Sequence, residues 1–336
     1  MFGTRETYNR AMCARVSASS PSPKRKRRTG PAAIPDDATS VELAIEGKTV
    51  TLTNLDKLFW PDLKITKRAL LQYYLDMAPV LVPHLENRAM VMKRYPNGAY
   101  SSFFFMKRAP SPRPAWIEVC PIEHGSGNVV AFPMVNDTAT LLWLINLGCI
   151  DLNPWYARCD DVNRPDCLYF DLDPVPKADF ENVLEVASIV RASLRKLKMK
   201  VYAKTTGSRG IHLAVPIKRG PLQKQVWTFA KEVANVLAAE HPKLVTAEYR
   251  INKRPPGRIL VDYNQNAWGR TLASIYSIRP RKGATVSMPI SDRELDRGVA
   301  IEDFTIFNAL DRIAKLGDLW APILARTGRT SLEKYL

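Results

Sequence analysis

Leu168-Tyr169-Phe170-Asp171-Leu172-Asp173-Pro174 is an apolar run that ends in two acids and a proline. Residues i and i+2 of a strand share a face, so Asp171 and Asp173 project together from the strand end, and Pro174 stops the strand. Two carboxylates at this spacing repel each other unless a cation lies between them. Oxygen donors with room for water suit Mg²⁺ or Mn²⁺. A solvated strand end can carry the same pair, so the pair alone decides nothing. Asp262 adds weight, because Arg258-Ile259-Leu260-Val261-Asp262-Tyr263 is a second apolar strand ending in an acid. Three acids at the ends of buried strands fit a two-metal phosphoryl-transfer site with Asp171, Asp173 and Asp262 as metal ligands.

Around these strands the periodicity alternates. Residues 178–197 read as a helix, 201–204 and 211–217 as strands, and 221–240 as a helix. This mixture predicts an α+β fold on a mostly antiparallel central sheet flanked by helices. Upstream, 41–53 predicts a hairpin turning at Glu46-Gly47, and Thr66 starts a helix. Residues 90–135 read as short strands broken by Pro and Gly, and Asp137 caps a helix that runs to Leu147. A last helix is predicted over 301–316. Residues 1–40, rich in Ser, Pro, Ala and Arg, read as a disordered basic extension, 41–316 as the catalytic domain and 317–336 as a C-terminal tail.

The 336 residues carry 49 Lys and Arg against 33 Asp and Glu, a formal net charge of +16. Arg5, Arg10, Arg15, Lys24, Arg25, Lys26, Arg27 and Arg28 against Glu6, Asp36 and Asp37 put +5 in the first 40 residues and leave +11 to the body. A body this basic favours a polyanion, nucleic acid above all, although general solubility charge is the plainer alternative. No apolar run reaches the roughly 18 residues of a membrane span, and no signal-peptide core opens the chain, so the expected compartment is the cytoplasm. Five cysteines without a CxxC pair argue against a disulfide framework or a zinc site, and Cys120, Cys149 and Cys167 are expected in the core.

Three further stretches carry chemistry. In Thr205-Thr206-Gly207-Ser208-Arg209-Gly210-Ile211-His212 small residues let backbone amides approach an anion, Thr206 and Ser208 add hydroxyls, and Arg209 adds charge. His212 opens the next strand, where it can donate to a phosphate oxygen. A polar hairpin with a structural histidine would read the same way. Met92-Lys93-Arg94-Tyr95-Pro96-Asn97-Gly98 puts cations at a strand end, and Phe103-Phe104-Phe105-Met106-Lys107-Arg108 follows. Aromatics beside Lys and Arg suit base stacking with phosphate contacts, while strand alternation is expected to bury at least one of the three rings.

YFDLDP (169–174), TTGSRGIH (205–212), RILVDYNQN (258–266), TNLDKLFWP (53–61), MKRYPNG (92–98) and FFFMKRAP (103–110) occur in an order that resembles the polymerase domain of bacterial ligase D, in the archaeo-eukaryotic primase superfamily. The resemblance runs over about residues 41–295. With no ligase or nuclease motif beside it, the chain is most similar to stand-alone actinobacterial primase-polymerases of the Prim-PolC type. The resemblance implies an archaeo-eukaryotic primase-like fold. It also implies a template-directed nucleotidyltransferase that uses Mn²⁺ or Mg²⁺ to extend DNA primers across short gaps or breaks, preferring ribonucleotides. The implied partners are gapped or broken 5′-phosphorylated DNA, nucleoside triphosphates and an ATP-dependent DNA ligase. The implied setting is a monomer on the bacterial nucleoid. Residue by residue, Asp171, Asp173 and Asp262 match metal-binding acids, and Thr206, Ser208, Arg209 and His212 fall in the triphosphate loop. Lys93 and Arg279 match cations near the incoming nucleotide, and Phe104 and Phe105 match stacking aromatics. Asn54, Lys57 and Lys67 match a pocket for the 5′-phosphate across a gap. Asn153 replaces the family's usual His, Gln265 a frequent Arg, and Thr206 a frequent Ser. Two rivals stand beside this reading: a metal-dependent nuclease, and a non-catalytic DNA-end-binding module that recruits a ligase.

Overall fold

The alternation of 41–53 becomes strands β1 (Val41–Ile45) and β2 (Lys48–Leu52), paired antiparallel from Val41↔Leu52 to Ile45↔Lys48. Glu46 and Gly47 both take positive φ at the turn, as a two-residue hairpin of this twist requires. The structure is a computed structural model that describes residues 33–336. Cys13, the 24–28 basic run and most of the predicted disordered extension lie outside the described residues. Residues 34–40, read from the sequence as part of that extension, are held on the body. Ile34 is buried and its N–H bonds Gln72, while Ala38 O accepts from Arg68.

Strands β3 (Leu58–Trp60) and β4 (Ile65–Thr66) lead into helix α1 (Lys67–Leu85), capped by the Thr66 hydroxyl. Strand β5 (Met90–Arg94) lies between β6 (Phe104–Met106) and β9 (Cys149–Pro154) in a three-stranded antiparallel sheet. The hairpin β7 (Val119–Glu123) and β8 (Val129–Pro133), then helix α2 (Thr138–Asn146), sit between β6 and β9 in sequence. Asp137 caps α2 by accepting the Thr140 N–H at 2.7 Å. The short pair β10 (Ala157–Arg158) and β11 (Asp161–Pro165) follows β9.

The main sheet has six strands. In chain order its parts are β12 (Cys167–Pro174), helix α3 (Phe180–Lys196), β13 (Tyr202–Thr205), β14 (Ile211–Pro216), helix α4 (Gln223–Glu240), β15 (Val245–Thr246), β16 (Ile259–Asp262) and β17 (Pro289–Ile290). The spatial order is β15-β16-β12-β14-β13-β17, antiparallel throughout except for the β15–β16 pair. This is the mostly antiparallel α+β architecture that the sequence predicts. Leu168, Phe170 and Leu172 are fully buried on one face of β12, as are Val183, Val186 and Val190 of α3, which packs on that strand. The alternate positions of β12 are thereby aimed at the opposite face.

Two expectations are corrected. The helix predicted over 301–316 forms only as α6 (Ala309–Leu316), which follows the short α5 (Asp292–Arg297). Asn308 accepts the Thr305 N–H and donates to Asp303 O, so its side chain takes groups a continuous helix would use. Cys120 is buried as expected but is disulfide-bonded to Cys159, with Cα atoms 5.8 Å apart. The pairing crosses 39 residues and joins β7 to the β10–β11 turn, a contact that spacing cannot foretell. Cys149 and Cys167 are buried and have no disulfide partner among the described residues. The segment 317–336 packs on the body through helix α7 (Ala321–Leu324), buried Trp320, Ile323 and Leu332, and a bridge between Thr330 and Ile217.

A buried ion pair anchors the start of β12. Arg88 Nη2 donates to both Asp166 oxygens at 2.7 Å, and Arg158 Nε donates to Oδ2 at 3.0 Å. Burial alone would raise the Asp166 pKa, but the Arg88 charge holds it below the usual carboxylate range. Asp166→Asn leaves Arg88 buried beside a neutral amide and is expected to lower the unfolding free energy by about 3–5 kcal/mol. Urea denaturation measures this, and a loss under about 1 kcal/mol would mean that the pair contributes little.

Candidate active site

The register of the main sheet sets four titratable side chains in one row. Lys204 of β13 stands opposite His212 of β14, His212 opposite Asp171 of β12, and Asp171 opposite Asp262 of β16. Asp173 lies two residues on from Asp171, on the same face of its strand. Gly210 lets β14 approach, because a Cβ there would come within 2.1 Å of Leu172 O and 3.4 Å of Asp173 Oδ1. The structure therefore brings the three sequence-predicted acids together.

Their environment resists charge. Burial pushes the Asp171 pKa up to about 6, against the pull of Lys204 and Arg279. The Asp171 charge, then burial, pushes Asp173 up to about 7. Burial, then the Asp171 charge, raises Asp262 to about 6. Asp171 Oδ1 lies 3.2 Å from His212 Nε2 yet has no hydrogen-bond partner among the described residues. Asp262 accepts from the Asn264 N–H at 2.9 Å and from the Gln265 amide at 3.2 Å. So Gln265, one of the departures from the family pattern, touches an acid directly.

An all-oxygen donor set, mutual repulsion and an orphaned buried oxygen fit a hard divalent cation. Among the described residues no group of three or more His, Cys, Asp and Glu side chains is placed so that it could hold a metal ion as it stands, these three acids included. Like charges left to themselves stand apart.

His212 and Lys204 are both buried. Burial, then Lys204 and Arg279, pushes the His212 pKa well below its usual value, so the ring is neutral. The Lys204 ammonium donates to Ala273 O at 2.9 Å and to Ser287 Oγ at 2.5 Å. Burial pushes its pKa far down as well.

The triphosphate-type loop differs from expectation in one respect. Thr206 is buried, and its Oγ1 accepts the amides of Ser208, Arg209 and Gly210 at 3.1, 3.2 and 3.1 Å. The hydroxyl and amides expected to face a ligand therefore bond each other and brace the turn. Ser208, half-buried, and Arg209, exposed, are the side chains left to a ligand. Gly207 has φ +63°, and a Cβ there would meet Arg279 Cγ at 2.8 Å. Arg279 Nη1 donates to Thr206 O at 2.6 Å.

Lys93 of β5 stands between Phe105 of β6 and Asp151 of β9. Its ammonium lies 4.1 Å from the Phe103 ring centre, and Arg94 lies 5.2 Å from that of Phe104. All three phenylalanines are exposed, by 48, 43 and 60 %, so the expectation of a buried ring is corrected. Strand β6 is a sheet edge, and its aromatic faces meet cations rather than a core.

Asn54, Lys57 and Lys67 meet in one turn before α1. Lys57 N–H donates to Asn54 O, and Lys67 N–H to Lys57 O. Lys67 Nζ donates to Thr53 O at 2.7 Å, and Lys57 Nζ to Asn97 at 3.1 Å. Burial, then the charges of Lys57 and Arg94, lowers the Lys67 pKa to about 8.

Sequence reasoning missed Lys204, Asp151 and Arg254. A single Lys on a strand reads as solvent-facing, Asp151 drew notice only beside Asn153, and the pull of Arg254 on Asp173 arises across the fold.

Three strand-borne acids facing an anion-type loop and a ring of cations define a nucleotidyltransferase of the primase-polymerase class. The family described as the LigD primase-polymerase domain matches residues 66–320, and the chain belongs to that family. It is 34% identical over 281 residues to the multifunctional non-homologous end joining protein LigD of Mycolicibacterium smegmatis, covering 82% of this chain and 36% of that protein. It is 30% identical to the bifunctional LigD of Bacillus subtilis, covering 79% of this chain and 42% of that protein. The chain thus spans well under half the length of these curated relatives. The polymerase domain of Mycobacterium tuberculosis ligase D, solved in complex with DNA, superposes with a TM-score of 0.77 at 29% identity, covering 82% of this chain and 98% of that one.

The raised carboxylate pKa values carry a stability signature. Between about pH 4 and 7 the folded protein holds protons that the unfolded chain has released, so without metal this contribution falls as pH rises through that window. Asp173→Asn is expected to stabilise the metal-free protein at pH 7.5 by about 2 kcal/mol and to leave it unchanged near pH 4. Mn²⁺ is expected to raise the melting temperature of the wild type at pH 7.5, and not that of Asp171→Asn with Asp173→Asn. Equal shifts in both proteins would remove the acids from the metal site.

Proposed function

We propose that this chain is a template-directed polymerase that adds nucleotides, ribonucleotides by preference, to a DNA primer at a short gap or break. The observation that carries the reading is the row of acids in register beside the loop braced by Thr206 and Arg279. Asp171, Asp173 and Asp262 would hold two divalent ions, Mg²⁺ or Mn²⁺, which when bound acidify the primer 3′-hydroxyl and neutralise the departing pyrophosphate. Lys93, Arg209 and Arg279 then bind and orient the triphosphate. His212, held neutral, is a hydrogen-bonding group beside the acids and adds no charge. Phe104 and Phe105 stack on a base, and Asn54, Lys57 and Lys67 hold the 5′-phosphate across the gap.

DNA in the related solved structure, and end joining in the names of the relatives, support a role in rejoining broken DNA with a ligase as partner. No helix among the described residues is long and apolar enough to cross a membrane. The proposed setting is a monomer on the bacterial nucleoid in the cytoplasm.

Primer extension on gapped DNA with Mn²⁺ tests the reading. The wild type lengthens the primer, and Asp171→Ala with Asp173→Ala abolishes extension while DNA binding persists. With Thr206 committed to the loop, Ser208 is the hydroxyl left to meet the sugar. One hydrogen bond to the 2′-hydroxyl gives a ribonucleotide preference of roughly five- to a hundredfold in kcat/KM. Shortened strands would favour the nuclease, binding without extension the end-binding module, and a deoxynucleotide preference would misplace the sugar.

The 5′-phosphate pocket carries a pH dependence. Lys67 loses its charge as pH rises through about 8. The tighter binding of 5′-phosphorylated over 5′-hydroxyl gapped DNA is therefore expected to shrink between pH 7 and 9, with Lys57→Ala and Lys67→Ala erasing it at both. Equal affinity for the two DNAs at pH 7 would rule out the pocket.

A further inference from the structure

Asp151 is 1 % exposed, at the register position opposite Lys93. Its Oδ2 lies 3.3 Å from Arg279 Nε and 3.9 Å from Lys93 Nζ. Its Oδ1 has no hydrogen-bond partner among the described residues. A carboxylate this buried, which meets Arg279 and Lys93 only at ion-pair distance and without a hydrogen bond among the described residues, is costly, and an apolar residue would pack at lower cost. Its surroundings supply the reason for it.

Burial pushes the Lys93 ammonium toward its neutral form, Asp151 pulls it back, and Arg279 and Arg281 add to the push. From the other side Lys93 meets the Phe103 ring at 4.1 Å and the Tyr95 ring at 5.6 Å. Arg279 is fixed at one further point, by its bond to Thr206 O, and its Cγ fills the space that a Cβ at position 207 would need. The carboxylate thus faces the guanidinium that braces the loop and the ammonium across from it. Without an anion between them the two cations repel, and each has a long side chain with much rotamer freedom to swing away.

We propose that Asp151 is a positioning residue, which holds Arg279 and Lys93 at a set spacing and so fixes the 205–210 loop for a triphosphate. It is too deeply buried to touch the nucleotide itself. The part of the proposal that concerns triphosphate rests on the polymerase reading; the part that concerns the loop does not. Removing the acid frees positive charge, which favours ground-state binding of a triphosphate, and loosens the geometry that the reaction needs. A group that merely filled space would not separate these two effects.

Hydrogen exchange at the 207–210 amides needs no activity and is measured first. Asp151→Asn and Arg279→Gln are each expected to speed exchange there at least tenfold, and the double variant no more than Arg279→Gln alone, because both act through one contact. Should Asp151→Asn fail to fold, Arg279→Gln reads the same loop. Unchanged exchange in the variants that fold overturns the proposal. In primer extension, Asp151→Asn is expected to lower kcat by roughly ten- to a hundredfold with nucleotide KM unchanged or lower, and Asp151→Glu to recover most of the loss. A raised KM with kcat intact would also overturn it. A wild type that does not extend primers defeats the polymerase reading alone, and the exchange result still judges Asp151.

Discussion

Lys204, His212, Asp171 and Asp262 face one another across four adjacent strands, and the rest of the site is arranged around that row. Charged and polar side chains do not gather in a buried row by attraction alone, since burial disfavours each charge. The opposite face of the sheet holds them there. Leu168, Phe170 and Leu172 are fully buried, and a slip of one residue would exchange them for Tyr169, Asp171 and Asp173. The apolar face sets the register, and the register forces three carboxylates together. The neutral His212 then separates the buried Lys204 from Asp171 without adding a charge of its own.

The cations come from elsewhere in the fold. Lys93 belongs to the smaller sheet, and Arg279 to a segment outside any named strand. Successive residues of β5 serve two places. Lys93 meets Asp151 and the Phe103 ring, while Arg94 donates to Leu147 O and raises the electrostatic cost of a charged Lys67. One strand thus links the surroundings of the acid row to the turn of Asn54, Lys57 and Lys67. The loop between them is braced from within by Thr206, whose hydroxyl can accept three amides because Gly207 adopts a positive φ.

Much of this was legible in the sequence. Alternation over 41–53 and the capping residues Thr66 and Asp137 express local preferences that the packed protein keeps. The apolar strands that end in Asp171, Asp173 and Asp262 carried their own boundaries, and the ordered motifs pointed to the family to which the chain belongs. Local rules were less informative where side chains had a choice of partner. Asn308 bonded the backbone and shortened the last predicted helix, Thr206 turned inward, and the phenylalanine triplet stayed out on an edge strand beside cations.

The sequence by itself determined the order of elements, the two strands that end in acids, the basic excess of the body and the residue types of the loop, because each follows from neighbours along the chain. The tertiary structure alone decided that Asp262 pairs with Asp171, that Lys204 lies buried behind His212, that Cys120 finds Cys159, and that Asp151 faces Lys93 and Arg279. These are contacts between residues far apart in sequence. Their energies depend on burial and on the sign of the nearest charge, and neither exists until the sheets have closed on their core.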